Sequence, residues 1–188
     1  MITIVETVRS RGQGPTTGPA ALDAGPFGGA IWFNSAVNWH FGLPGSPPPP
    51  GRNDFLTTAV HELFHLLGFG DSDAFRARIS DDGRFFLGPD SQRVFGGPVP
   101  LDRFASHFAE GTLGLTARGV QETLMDPSTP AGVRQLPTDL DFAVLSDIGW
   151  EVTPMPIPVP SSLWLLGTTT VALMRFGSIR VARRQAAV

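Results

Sequence analysis

The sequence predicts an α+β fold with a small mixed sheet, a buried helix and a loop-rich C-terminal part that ends in another helix. Residues 53–68 and 138–149 carry helical apolar patterns between capping residues and glycine stops. Residues 28–35 alternate in the way that favours a strand. The 22 glycines and 18 prolines among 188 residues indicate many turns and exclude a coiled coil.

The N-terminal part predicts two strands and a surface loop. Residues 2–5 are a short apolar strand, and residues 28–35 place Ile31 and Phe33 on the same side of a second strand. Residues 43–52 contain four consecutive prolines, so this stretch fits neither a helix nor a sheet and is expected to be a surface loop.

The next segment predicts a helix that is buried in the middle of the domain. Asn53 or Asp54 can cap it, and Gly68 ends it. A helix that is apolar on nearly all sides packs inside a protein. The apolar positions are Phe55, Leu56, Ala59, Val60, Leu63, Phe64, Leu66 and Leu67.

Residues 70–123 carry weaker patterns, which predict short strands at 84–87 and 92–95 and a turn at 96–98. The last helix has clearer signals within residues 138–149, because its cap, its N-terminal acids and its glycine stop are all present. Its cap is Thr138, its acids are Asp139 and Asp141, its apolar stripe is Leu140, Val144 and Ile148, and its stop is Gly149.

Charge and cysteine content exclude two classes of function. All 17 carboxylates lie at or before Glu151, whereas four of the 14 basic residues follow Pro154. The domain at 1–153 is therefore acidic and has no electrostatic footprint for nucleic acid. The chain has no cysteine, so it has no disulfide framework and no thiol redox chemistry.

The middle of the buried helix reads His61-Glu62-Leu63-Phe64-His65. Imidazoles four residues apart lie on one helical face and can bind a single zinc ion. Glu62 projects beside them, where it can take a proton from a water on the metal. Three polar residues on one turn of a buried helix are costly without such a partner, so the pattern predicts a zinc site.

A third ligand has two candidates. Asp71 lies six residues after His65, and Gly68 provides the sharp helix end that lets the chain turn back. The run HELFHLLGFGD resembles the long zinc-binding signature of the metzincin metalloproteases, which place their third ligand at the position of Asp71. His107 is the alternative, and we prefer it because neutral imidazole is the commoner ligand and Asp71 also suits a turn.

A long insertion before His107, followed by Leu-Met-Asp-Pro at 124–127, resembles the leishmanolysin-type metzincins. This resemblance covers residues 29–150 and implies that Met125 forms the Met-turn, a hydrophobic floor beneath the metal. It also implies a metzincin-like fold. Only 60 residues precede His61, so we expect the N-terminal subdomain of that fold to be shortened.

The resemblance implies a zinc-dependent endopeptidase that hydrolyses peptide or protein substrates. Zinc would be held by His61, His65 and His107, with Glu62 acting as general base and then as general acid. The strand around residues 31–34 could pair with an extended substrate. One alternative is an exported, surface-anchored zinc-binding module without catalysis. Another is an adhesion or matrix component whose histidines are incidental and which binds no metal.

We predict three parts of the chain: a catalytic domain at 1–153, a Pro-rich spacer at 154–162, and a hydrophobic helix with an Arg-rich tail at 163–188. The tail resembles a PEP-CTERM sorting signal, which implies an exosortase-type processing peptidase, transient membrane association through residues 163–184, and an exported protein at the cell surface or outside the cell. Because Met1 does not open an export signal, we expect an N-terminally shortened form of a longer precursor. The matching elements are Val-Pro-Ser-Ser at 159–162, Leu-Trp-Leu-Leu-Gly at 163–167 and Arg183-Arg184.

Overall fold

A computed structural model describes residues 8–10, 14–24, 29–43 and 45–153, with the backbone alone for residues 8–10. The strand expected at 2–5, the spacer at 154–162 and the tail at 163–188 lie outside the described residues.

The described residues form four helices and eight short strands, and none of these helices is long and apolar enough to span a membrane. The helices are α1 (Phe55–Leu66), α2 (Asp73–Arg76), α3 (Pro89–Phe95) and α4 (Asp139–Asp147). The strands are β1 (Val8–Ser10), β2 (Trp39–His40), β3 (Asn53–Asp54), β4 (Phe85–Phe86), β5 (Val99–Pro100), β6 (Leu113–Thr116), β7 (Gly119–Glu122) and β8 (Trp150–Val152).

The α+β class is confirmed, but the strands form separate pairs instead of one mixed sheet. β1–β8, β4–β5 and β6–β7 are antiparallel, and β2–β3 is parallel. The strands in these pairs are only two to four residues long. The domain is therefore held together by its helices and loops more than by a sheet.

The strand predicted at 28–35 is wrong, because residues 29–35 join no ladder in the described structure. The alternating pattern has a different cause. Phe33 packs its ring on Phe55 of α1, with centroids 4.7 Å apart, while Trp32 is 86% exposed. Residues 43 and 45–52 form a loop, as the prolines predicted.

Helix α1 has the predicted limits, but the prediction that it is buried is wrong, because only one side of it is covered and Leu63 is 42% exposed. The side chain of Asp54 caps it by accepting a hydrogen bond from Thr57 N at 3.1 Å. Arg134 pairs with the same carboxylate through Nε and Nη2, and both side chains are almost fully buried. Gly68 has a φ of 101°, which ends the helix sharply and which residues other than glycine rarely adopt.

The strand predicted at 92–95 is also wrong, since these residues belong to α3. Pro89 opens this helix, and the Asp147 carboxylate accepts hydrogen bonds from Asp90 N and Ser91 N, both at 2.8 Å. Gly96 closes it with a φ of 92° and forms the predicted turn. The cap at Asp147 is 56 residues away in sequence from Ser91, so no local pattern shows it.

Aromatic rings and the apolar side of α4 make up the core beneath α1. Phe69 contacts Phe75 and Phe108, with ring centroids 5.0 and 5.1 Å apart. The α4 stripe predicted at Leu140, Val144 and Ile148 is buried as expected. This packing places the last helix directly behind the segments that carry the candidate site.

Candidate metal centre

Three imidazoles meet at one point on the surface of the core. His61 and His65 come from α1, and His107 comes from the loop between β5 and β6. The Nε2 atom of His107 lies 3.1 Å from Nε2 of His61 and 3.1 Å from Nε2 of His65. All three ligand atoms lie within 4.8 Å of one another, so the three histidines can hold one metal ion.

The outer nitrogens of the two helical histidines face backbone carbonyls. His61 Nδ1 lies 2.8 Å from Leu124 O, and His65 Nδ1 lies 3.0 Å from Phe69 O. A carbonyl oxygen can only accept, so Nδ1 carries the proton in each neutral ring. Both Nε2 lone pairs therefore point to the shared centre, as metal ligation requires.

The donor set fits a metal ion better than it fits hydrogen bonds alone. One proton on His107 Nε2 could serve only one of its two Nε2 neighbours, whereas a cation can accept a lone pair from all three rings. Nitrogen ligands at the usual zinc distance in a tetrahedral site lie about 3.3 Å apart. The observed 3.1 Å contacts are close to that spacing.

The surroundings keep two of the three rings neutral at physiological pH. Burial lowers the pKa of His61, and the hydrogen bond to Leu124 O only partly offsets this effect. Burial, together with repulsion from His65 and His61, lowers the pKa of His107 to about 4. Neutral imidazole is the form that ligates, so neither ring needs to lose a proton at pH 7 before binding a metal.

Glu62 follows His61 on α1 and is half-buried. Its charge acts on the His61 ring, where it opposes the effect of burial. Within the described part of the chain, the Glu62 carboxylate has no hydrogen-bond partner. It is therefore available to exchange protons with a water or a substrate beside the three histidines.

Met125 lies in a turn whose backbone carbonyls contact the His61 ring and the residue that follows His107. Asp126 N donates to Thr123 O at 3.3 Å across the turn, and the Met125 side chain is fully buried. Leu124 O accepts from His61, while Met125 O accepts from Phe108 N at 3.0 Å. The turn thus fixes both the His61 ring and the backbone next to His107.

Asp141 is a supporting residue whose role the sequence did not reveal. Its buried carboxylate accepts hydrogen bonds from Leu124 N at 2.9 Å and Met125 N at 3.0 Å, so α4 holds the turn directly. From the sequence alone, Asp141 was identified only as an acid near the helix N-terminus. The capping box that Asp141 forms with Thr138 is the local signal that its side chain points back towards the preceding loop.

The other candidate ligand, Asp71, does not join the cluster. Its side chain is 75% exposed and lies 3.5 Å from Nη2 of Arg76. His40 is also separate, since its Nε2 atom lies 3.3 Å from Ser46 O at an exposed position. In the described structure, His107 is the residue that completes the group formed by His61 and His65.

No family model, curated protein or solved structure matches this chain.

Proposed function

We propose that this protein is a zinc-dependent endopeptidase of the metzincin type, similar to leishmanolysin. The observation that carries the proposal is the convergence of three Nε2 atoms beside Glu62, whose carboxylate has no hydrogen-bond partner in the described part of the chain. The order of the elements along the chain also supports it. The helix with two histidines comes first, followed by His107, the turn at Met125 and the capped helix α4.

His61, His65 and His107 would hold the metal through Nε2. Zinc bound there would supply a Lewis acid that polarises a water molecule and the carbonyl of the bond to be cleaved. Glu62 would take the proton of the attacking water and deliver it to the leaving amine. The Leu124 carbonyl keeps the His61 ring in its ligating tautomer, and the buried Met125 side chain would form the apolar floor of the site.

Residues 29–33 are the segment that we propose binds the substrate backbone. These residues run beside α1. The Gly29 backbone lies so close to Leu66 that a side chain at position 29 would collide with it, and Phe33 packs on Phe55. Their backbone groups make no hydrogen bonds within the described part of the chain. An extended peptide could pair with these groups and pass beside His65.

We further propose that the protein acts at the cell surface or outside the cell after export. This proposal depends on the sequence of the spacer and tail at 154–188, which resemble an exosortase-processed sorting signal.

Substitution Glu62→Gln in the full chain tests the proposal. The variant should keep its zinc, because Glu62 is not a ligand, while peptide hydrolysis should fall by a factor of about 100 or more. Cleavage of a fluorescent casein substrate measures the rate, and Glu151→Gln at an exposed position of β8 is the matched control. Unchanged hydrolysis in Glu62→Gln would refute this role. Zinc binding by an inactive wild type would instead favour the surface-anchored module without catalysis.

A further inference from the structure

The loop that carries His107 is organised around one carboxylate, that of Asp102. Asp102 Oδ1 accepts hydrogen bonds from Ser106 N at 3.0 Å and from His107 N at 3.2 Å. Asp102 N donates in return to His107 O at 3.0 Å. The Asp102 side chain is only 13% exposed, so these contacts are shielded from competing water.

His107 differs from the other two histidines at its outer nitrogen. His107 Nδ1 faces the Ser106 hydroxyl oxygen at 3.0 Å, and a hydroxyl can either donate or accept. The hydroxyl therefore leaves the tautomer of His107 undecided, whereas carbonyls decide it for His61 and His65. Asp102 Oδ2 lies 3.9 Å from the same nitrogen. Its negative charge favours a proton on Nδ1 and thus a lone pair on Nε2.

Two features constrain the backbone around His107. Ala105 has a φ of 53°, a left-handed conformation that is uncommon for alanine and that closes the loop after Asp102. Gly70, just beyond α1, packs so closely that a side chain there would approach Ser106 O to 2.5 Å. The loop is therefore fixed against the end of the helix that supplies the other two ligands.

We propose that Asp102 is a positioning residue of the metal centre, which holds the His107 backbone and, when a metal occupies Nε2, favours a proton on Nδ1 with Ser106 Oγ as its acceptor. This inference rests on the proposed function for its metal, but the hold of Asp102 on the Ser106 and His107 amides can be measured without one. A carboxylate behind a ligating histidine commonly changes metal affinity by a factor of about 10–100.

Three substitutions in the full chain separate this role from a general loss of structure. Asp102→Asn keeps an oxygen for the Ser106 and His107 amides but turns an NH₂ group towards His107 Nδ1. Ser106→Ala removes only the Nδ1 partner. Asp81→Asn removes a charge at an exposed position and is the matched control. Thermal unfolding of each metal-free protein reports whether the fold is retained.

Two measurements are then made on each protein. Competition with a chromophoric chelator gives the zinc affinity, and amide hydrogen exchange of the metal-free protein reports how firmly the N–H groups of Ser106 and His107 are held. We expect the Asp102→Asn protein to bind zinc about 10-fold or more weakly and to exchange its Ser106 and His107 amide protons faster, because a neutral amide oxygen is a weaker acceptor than a carboxylate. Ser106→Ala should fall between it and the wild type in zinc affinity, and Asp81→Asn should match the wild type in both measurements.

The outcomes distinguish this inference from the proposed function. Wild-type zinc affinity together with unchanged amide exchange in Asp102→Asn would overturn the positioning role and leave the peptidase proposal intact. A wild type that binds no zinc would overturn the peptidase proposal, while the amide exchange of the metal-free proteins would still decide the role of Asp102.

Discussion

Replacing Asp141 by asparagine should change how the stability of the domain depends on pH. The Asp141 carboxylate is fully buried and accepts hydrogen bonds from Leu124 N, Met125 N, and both N and Oγ1 of Thr138. Burial outweighs these contacts and raises its pKa from 3.8 to about 6. The group is therefore expected to be charged at pH 7 and mostly neutral at pH 4 in the folded protein.

The direction of the effect follows from the raised pKa. Between pH 4 and pH 6 the folded state binds more protons at Asp141 than the unfolded state, so the free energy of unfolding increases as the pH falls. The difference between pKa values of 3.8 and about 6 corresponds to about 3 kcal/mol at its limit. About 2 kcal/mol of this develops between pH 7 and pH 4. The asparagine side chain of the variant cannot titrate, so the variant lacks this contribution.

Urea unfolding of wild type and Asp141→Asn at pH 4, 5, 6 and 7, with a chelator present, measures the effect. Other titrating groups are common to both proteins and cancel in the difference between them. We expect the wild type to gain about 2 kcal/mol relative to the variant as the pH falls from 7 to 4. Parallel pH profiles would refute the reasoning, because they would mean that Asp141 titrates alike in the folded and unfolded chains.

Further substitutions test the contacts that hold the frame of the site. Arg134→Ala leaves the buried Asp54 carboxylate without its ionic partner and should lower stability by about 3–5 kcal/mol, measured as a fall of about 10 °C in Tm. Ala105→Gly should raise the free energy of unfolding in urea by about 0.5–1 kcal/mol, because glycine adopts the positive φ without strain. Trp150→Phe loses the hydrogen bond from Nε1 to Leu67 O and should cost about 1 kcal/mol in the same assay. Unchanged stability in any of these variants would contradict the role assigned to that ion pair, that positive φ or that hydrogen bond.

The sequence predicted the elements whose signals are local. Asp54 and Gly68 delimit α1, and Thr138 and Gly149 delimit the last helix, because caps and glycine stops act within a few residues. His61 and His65 followed from helical spacing alone. These features need no knowledge of the rest of the fold.

Features that depend on distant contacts could not be predicted in the same way. The alternation of apolar and polar residues at 28–35 predicted a strand. Phe33 is apolar for a different reason, since its ring packs on Phe55. Residues 92–95 are helical because α3 is capped by Asp147, which lies 56 residues from Ser91 in the sequence. The contact of Asp102 with His107 requires a tight loop, and nothing in its local sequence marks the left-handed Ala105.

The choice between His107 and Asp71 shows the same limit. Spacing in the chain offered both residues. Only the folded arrangement distinguishes a partly buried imidazole, with its Nε2 atom 3.1 Å from those of the other two histidines, from an exposed carboxylate beside Arg76. The preference for imidazole as a ligand agreed with that arrangement but could not establish it, because the loop before His107 had no recognisable secondary structure.

Zinc content per chain tests the central claim most directly. The full-length wild type, His107→Ala, Asp71→Ala and the control His40→Ala would be dialysed together and measured by atomic absorption. We expect about one zinc per chain in the wild type, Asp71→Ala and His40→Ala, and much less in His107→Ala. Zinc retained by His107→Ala and lost by Asp71→Ala would contradict the three-histidine site, and a folded wild type without zinc would contradict the metal centre itself.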